Sequence, residues 1–432
     1  MMQASSTVVQ NEYLFRALDN RIAEALEDYG GVCIQGPKYS GKTWSGLNQS
    51  ASDINLMDPS GNFQNREMAK LAPELVLEGE YPRLIDEWQE EPLLWDAVRN
   101  RIDKSGKAEK YILTGSSSPR KEVPKHSGIG RIEKLRMRTM SLQESKESSA
   151  EISLEGLFAG EEYQVKAPEL NLNDICNLVI RGGWPGSLST PTERQDRLPR
   201  AYIRGLIEGD LAQADGKSRD SEKVARFLHS MARNVEQTTA TKTMIRDMTV
   251  DKSKESLSPD TITDYIKALK RIFVLEEIGP WAPNLRSPLR INKRPKFHFV
   301  DPSLPAAILG LSSKMLMSDL KTLGFLFEAL CIRDLLVYAE AMGARVYYYR
   351  DKSGLEVDAV IEAPDGSWGA IEIKLGHNQG DAAASNLIEV RDRLTAAGAS
   401  EPTFLAVMVG LSDFGYVRAD KVQVVPVNVL GC

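Results

Sequence analysis

The sequence predicts a multidomain α/β protein, and three observations point that way. An apolar run over residues 31–34 leads directly into Gly36-Pro37-Lys38-Tyr39-Ser40-Gly41-Lys42-Thr43, which fits the phosphate-binding pattern G-x(4)-G-K-S/T. The stretch 44–49 after it can open a helix, so strand, loop and helix follow in the order that pattern needs. Far downstream, beyond residue 311, a second series reads helix, three strands, helix, strand. The 432 residues are enough for two to four domains, and 42% apolar with 26% charged residues is ordinary for globular chains.

The net charge of −6 excludes a chain that coats nucleic acid as a whole; any such contact must come from a local patch. Cysteines 33, 176, 331 and 432 are too far apart to pair as metal ligands, and the expected setting is a reduced cytoplasmic one. The four histidines, at 126, 229, 298 and 377, are too scattered for a zinc site. Residues 1–10 lack an apolar signal core, and no apolar run reaches membrane-spanning length, so no membrane partner is expected.

Taken in order, Leu14, Leu18, Ile22, Ala25 and Leu26 recur at helical spacing ahead of the loop. Glycines let the loop turn its N–H groups inward around an anion. Gly36, Pro37, Lys38, Tyr39, Ser40, Gly41, Lys42, Thr43 and Trp44 are therefore the expected nucleotide contacts. Lys42 would reach the β- and γ-phosphates, and the Thr43 hydroxyl would hold Mg²⁺. A strand at 53–58 ends in a Pro59-Ser60-Gly61 turn. The next, at 82–87, ends in Asp86-Glu87: Asp86 would bind Mg²⁺ directly or through water, and Glu87 would polarise the attacking water. The strand 110–116 ends in hydroxyls, so Thr114 or Ser116 would lie near the γ-phosphate if this strand is inserted between the other two. Arg131 follows Gly128-Ile129-Gly130 and would meet the γ-phosphate of its own or a neighbouring subunit, unless it is a plain surface arginine.

The loop, Ile85-Asp86-Glu87-Trp88-Gln89, Leu113-Thr114-Gly115-Ser116-Ser117, Gly130-Arg131 and a later Arg181-Gly182-Gly183-Trp184-Pro185 together resemble AAA-superfamily ATP-binding proteins of bacteria and archaea. Those proteins carry a C-terminal domain of unknown function. The resemblance implies an ATPase core over 1–145, with ATP and Mg²⁺ as cofactors, and a homo-oligomer if Arg131 acts in trans.

Residues 146–220 read as a polar connection followed by a helical lid, with apolar faces at Leu172, Ile175, Val179 and at Tyr202, Leu206, Leu211. Residues 221–310 resemble a winged helix-turn-helix: helical sets around Val224–Met231 positions and after Ser258-Pro259, then strands near 275–278 and 296–300. Arg286, Arg290, Lys293, Arg294 and Lys296 fall in the wing with no acidic residue among them, so it would suit a phosphate backbone, or else serve only for packing.

Residues 311–432 carry Glu328 on a helix, Asp358 on a strand and Glu372-Ile373-Lys374 on the next. Residues two apart on a strand face one side, so Glu372 and Lys374 point together, across from Asp358. The arrangement resembles the restriction-endonuclease-like fold. That resemblance implies Asp358 and Glu372 as Mg²⁺ ligands, Glu328 as an added ligand, and Lys374 orienting or deprotonating water. Two functions stay open: an ATP-controlled nuclease acting on DNA, in defence or the handling of mobile DNA; or an ATP-dependent switch whose inactive nuclease-like domain only binds nucleic acid or a protein partner. A chaperone-like ATPase is a third, and predicts no nucleic-acid binding.

Overall fold

The computed structural model describes residues 13–106, 108–118, 126–212, 216–238, 241–248, 257–284, 290 and 294–432. The chain forms two compact units, one comprising residues up to 138 with 271–273, the other 139–270 with 274–432.

The first unit is built on a five-stranded sheet of β1 (Gly31–Gln35), β2 (Ser52–Asn55), β3 (Arg83–Asp86), β4 (Tyr111–Gly115) and β5 (Ile132–Arg136), in the order β2-β3-β4-β1-β5. Every pairing is parallel, and β4 is inserted between β1 and β3, with Val32 opposite Ile112 and Leu84 opposite the same Ile112. A parallel sheet must be covered on both faces. On one side Leu18, Ile22, Ala25 and Leu26, at and beyond the start of α1 (Asp19–Tyr29), pack on Val32, Ile34 and Ile112. On the other, Trp88, Trp95, Val98 and Ile102 pack on Cys33, Ile85 and Leu113. Strand residues alternate between these two cores, which is why β1, β3 and β4 read as unbroken apolar runs.

In the second unit, β6 (Ile152–Ser153) and β7 (Val165–Lys166) precede a two-stranded antiparallel hairpin of β8 (Leu275–Ile278) and β9 (Lys296–Phe299). The hairpin follows the helices Ser221–Arg233, Thr241–Met248 and Pro259–Arg271. Then come the helix Leu320–Ala341, β10 (Arg345–Arg350), β11 (Glu356–Glu362), β12 (Trp368–Gly376), the helix Gly380–Ala396, β13 (Phe404–Leu411), β14 (Phe414–Val417), β15 (Gln423–Pro426) and β16 (Leu430–Gly431). The larger sheet runs β10-β11-β12-β13-β15-β14-β7: β10, β11 and β12 are antiparallel neighbours, and β13 lies parallel to β12. The order helix, three strands, helix, strand is the expected one. The helix Gly380–Ala396 covers one face through Ala383, Ala384, Leu387, Val390 and Leu394.

Two expectations need correction here. Residues 146–220 are not a polar connection and a lid on the ATPase core; they belong to the second unit. Ile152 pairs with Leu430 in a parallel ladder, and β7 closes the edge of the larger sheet beside β14. The helices Leu172–Arg181 and Arg197–Gly205 pack on the helix Ser303–Ile308 of the same unit. Serines and glutamates made this stretch read as a connector, yet they serve as local caps: the Ser153 hydroxyl accepts from the Gly156 N–H, and Ser141 N–H donates to Glu144. The basic wing is also different from the expectation. Arg290 turns inward to Glu362, with Nη2 to Oε2 at 2.7 Å, and Lys296 is buried among carboxylates. Arg286 and Lys293 lie outside the described residues.

Candidate functional site

In the first unit, the loop after β1 leads into α2 (Lys42–Asn48). Two loop residues take the left-handed conformation, Tyr39 at φ 64° and Gly41 at φ 98°. Gly36 has no room for a side chain: a Cβ there would sit 2.1 Å from the Met137 carbonyl oxygen. The Lys42 ammonium donates to the Pro37 carbonyl at 2.7 Å, and the Ser40 hydroxyl to the same oxygen at 3.0 Å, so the loop is wound around its own lysine. Burial pushes Lys42 down to about 8, against the pull of Glu87 and Asp86. Tyr39 and Trp44 stand exposed beside the loop, and Lys38 is half-buried.

The Thr43 hydroxyl donates to Asp86 Oδ1 at 2.9 Å, and the Thr114 hydroxyl donates to the same oxygen. Burial raises the Asp86 carboxyl above the ordinary range, while the Thr114 and Thr43 hydroxyls oppose that rise. Glu87 leaves β3 in the left-handed region, at φ 59°, a conformation that costs a non-glycine residue about 1–3 kcal/mol and has to be imposed by its surroundings. Its N–H donates to the Thr114 hydroxyl at 3.3 Å, and its carboxylate accepts from the Ser116 hydroxyl at 3.1 Å and from the Gln89 amide. The inserted strand thus brings Thr114 to Asp86 and Ser116 to Glu87, and Lys42, Thr43, Asp86, Glu87 and Thr114 converge.

Arg131 does not join them in its own chain. It precedes β5, whose Ile132 pairs with Gly31 at the start of β1, whereas the loop follows the other end of β1. Five strand residues span roughly 16 Å. Its guanidinium pairs instead with Asp103 at 2.6 Å. Sequence reasoning gave no role to Gln89, although that residue lies in the motif stretch 85–89. It also missed Arg16, which donates to the Ser40 carbonyl at 2.7 Å and the Arg138 carbonyl at 2.9 Å and so ties the loop down.

In the second unit, Asp358 on β11 and Glu372 and Lys374 on β12 come together. Lys374 Nζ lies 3.2 Å from Asp358 Oδ2 and 2.5 Å from Glu372 Oε2. The Ile373 N–H donates to Asp358 at 2.8 Å. Asn386, on the helix Gly380–Ala396, donates to Glu372 Oε1 at 2.6 Å and to the Glu356 carbonyl at 2.7 Å; nothing in the sequence marked it. Burial, and then Asp358, push Glu372 up to about 7, against Lys374 and Asn386. Burial alone would lower Lys374, but Asp358 and Glu372 hold it above its usual value. An open pocket of about 630 Å³ is lined by Gly354, Glu356, Asp358, Glu372, Asn386 and Arg393. Two carboxylates already share one cationic group, so the donor set fits a cation.

Glu328 is not brought into that pair. Its carboxylate accepts from Lys296 at 3.2 Å, and burial, then Asp358, raise its carboxyl well above the ordinary range. Among the described residues no group of three or more His, Cys, Asp or Glu side chains is placed to hold a metal ion. Of the three expected carboxylates, only Asp358 and Glu372 share the Lys374 ammonium. Among the described residues no helix is long and apolar enough to cross a membrane.

Residues 29–146 match the family model of an AAA domain, which makes this stretch an AAA-type ATPase-like domain. Two families described as domains of unknown function match further on, DUF8612 over 172–315 and DUF4143 over 323–430. The uncharacterized proteins Rv2008c of Mycobacterium tuberculosis and Mb2031c of Mycobacterium bovis are each 24% identical over 359 residues, 82% of this chain and 72% of theirs. A solved structure, the Walker-type ATPase PABY2304 of Pyrococcus abyssi, aligns over 69% of this chain and 97% of its own, at 15% identity and a TM-score of 0.42.

Proposed function

We propose that this chain binds ATP with Mg²⁺ and hydrolyses it, and that the ATPase controls a C-terminal nuclease-like domain acting on DNA. The observation that carries the ATPase half is the convergence of Thr43 and Asp86 through one hydrogen bond, with Glu87 beside them. Thr43 and Asp86 would hold Mg²⁺, which when bound neutralises charge on the phosphates. Lys42 gives up the Pro37 carbonyl for the phosphates, and the Glu87 carboxylate, released by Ser116 and Gln89, orients the water. The residues of the loop from Gly36 to Trp44 supply the remaining nucleotide contacts.

In the second unit, Asp358 and Glu372 would hold a divalent ion, and Lys374, freed from both, would orient or deprotonate the water that attacks a phosphodiester. The three helices and the β8–β9 hairpin are a winged helix-turn-helix in this reading, serving mainly as a packing module, because Arg290 and Lys296 are spent on internal carboxylates. Arg131 acts in trans, on the nucleotide of a neighbouring copy, so the working form is a homo-oligomer.

The test is a gel assay of plasmid, linear and single-stranded DNA with Mg²⁺ or Mn²⁺, with and without ATP, for wild type, Lys374→Ala and Lys42→Ala. Cleavage lost in Lys374→Ala supports the nuclease, and its dependence on Lys42 supports ATP control. One observation favours a second reading: Lys374 already neutralises both carboxylates from within. A wild type that cleaves nothing while hydrolysing ATP would make the chain an ATP-dependent switch whose C-terminal domain only binds.

A further inference from the structure

Lys296, on β9, enters the acidic cluster beside carboxylates other than those that Lys374 holds. Its Nζ lies 3.2 Å from Glu328 Oε1 and 3.1 Å from Glu356 Oε1, and its side chain is 4% exposed. The Tyr348 ring lies 5.6 Å below it, and the Asp358 and Glu236 carboxylates add to its field. Burial alone would lower this ammonium; the four carboxylates hold it above its ordinary value. It borders a pocket of about 510 Å³ that also includes Glu236, Glu328, Arg350, Glu356 and Asp358. Asp358 faces this pocket and the one around Glu372 alike.

The cluster therefore has two halves, each with its own ammonium. Lys374 is 26% exposed and stands at the rim, where it can swing out and leave its place to a metal ion. Lys296 is enclosed by Glu328, Glu356 and an aromatic ring and has no such exit. Two-metal sites need carboxylates free on both sides of a shared one.

We propose that Lys296 is a resident cation that permanently fills the half of the cluster beside Glu328 and Glu356, so that the second unit takes one divalent ion, between Asp358 and Glu372, with Glu328 serving as the counter-charge of Lys296 rather than as a ligand. This rests on the reading of Asp358 and Glu372 as a metal site.

The test is Mn²⁺ titration of the full chain without nucleotide, with free Mn²⁺ read by its paramagnetic resonance, so that variants are compared on ions bound per chain. Lys296→Met, checked for its fold by near-ultraviolet circular dichroism, should bind one ion more than wild type. A folded variant with no extra ion overturns the proposal. Because that variant leaves buried carboxylates uncompensated and can fail to fold, the isosteric Glu328→Gln carries an independent test. It should lower the affinity of the wild-type ion by less than about tenfold, because Glu328 lines the Lys296 pocket and not the one around Glu372, and acts on the ion only through the shared Asp358. A loss of about tenfold or more would make Glu328 a participant in metal binding and overturn the proposal. Asp358→Asn separates the two readings: if it removes no ion from wild type, the metal reading of Asp358 and Glu372 fails, while the Lys296→Met result still decides the role of Lys296.

Discussion

In the proposed ATPase Lys42 and Glu87 have different roles, and each would leave its own signature. Replacing Glu87 by Gln keeps its shape and its hydrogen bonds, so ATP should still bind while phosphate release falls by about 10²- to 10⁴-fold, the span of a lost general base. Unchanged hydrolysis would move the base elsewhere. Lys42 predicts a pH dependence. Burial holds its free-state value at about 8, whereas a phosphate partner needs it charged. Nucleotide affinity should therefore be level from pH 7 to 8 and weaken above that by about tenfold per unit, each unit being 1.36 kcal/mol of protonation that binding must supply. The ligand-free fold responds with the opposite sign. Its lysine is depressed below the ordinary 10.5, so its unfavourable contribution to stability fades as pH rises from about 8. Fluorescence titration of a labelled nucleotide against Lys42→Met, which should show no such slope, checks the assignment. Gly36→Ala should lower the melting temperature of the first unit and abolish nucleotide binding, since its Cβ would sit 2.1 Å from a backbone oxygen that cannot step aside.

At the scale of the element, what the sequence revealed was what it stored locally. The phosphate loop, the carboxylate pair at the end of β3 and the hydroxyl at the end of β4 each carry a short local pattern, so motif and periodicity pointed to them, although Met137 beside Gly36 and Thr114 beside Glu87 come from far along the chain. The hairpin was not legible in the same way. Its basic residues look like a row of phosphate contacts in one dimension. Lys296 finds Glu328 32 residues further on, and Arg290 finds Glu362 72 residues on. Only tertiary pairing shows these two to be internal, while Arg294 stands exposed. The Gly182-Gly183-Trp184-Pro185 turn is a similar case. Gly182 has φ 68°, the Gly183 N–H donates to Asp301 at 2.8 Å, and the Trp184 indole donates to Ser303 at 2.9 Å. This motif is a buried latch, and a Cβ on Gly182 would meet Asp301 Oδ1 at 2.1 Å. Asp301→Ala should therefore destabilise the second unit by about 2–4 kcal/mol, the range for breaking a buried polar network, while leaving ATP hydrolysis by the first unit in place. Denaturant unfolding followed beside phosphate release separates the two effects.

Across the whole molecule, the second unit is closed by its last residues. Ser148 donates to the Leu430 carbonyl across 282 positions, Ser149 donates to the Asn428 carbonyl, and the Asn428 amide donates to Pro168 at 2.7 Å. Tyr338 donates to the same Leu430 carbonyl from the helix Leu320–Ala341. Removing residues 428–432 should therefore lower the melting temperature of the second unit by about 5 °C or more, because several buried groups lose partners at once. Calorimetry of the shortened chain tests this, and an unchanged transition would show the tail to be dispensable. No periodicity announces such a closure, since its two edges, β6 and β16, are two residues each.

The left-handed turn at Glu87 has a bearing on how relatives of this chain could be sorted. A carboxylate there is kept against the backbone's own preference, and in the proposed reading hydrolysis is what keeps it. A relative that has become a binding switch is released from that demand, and drift would favour glycine or asparagine at this place, both of which relax the turn. On that reading, the residue after the strand-terminal aspartate should separate hydrolysing relatives from silent ones before any protein is made. Restoring glutamate to a silent relative should lower its stability and raise its turnover together.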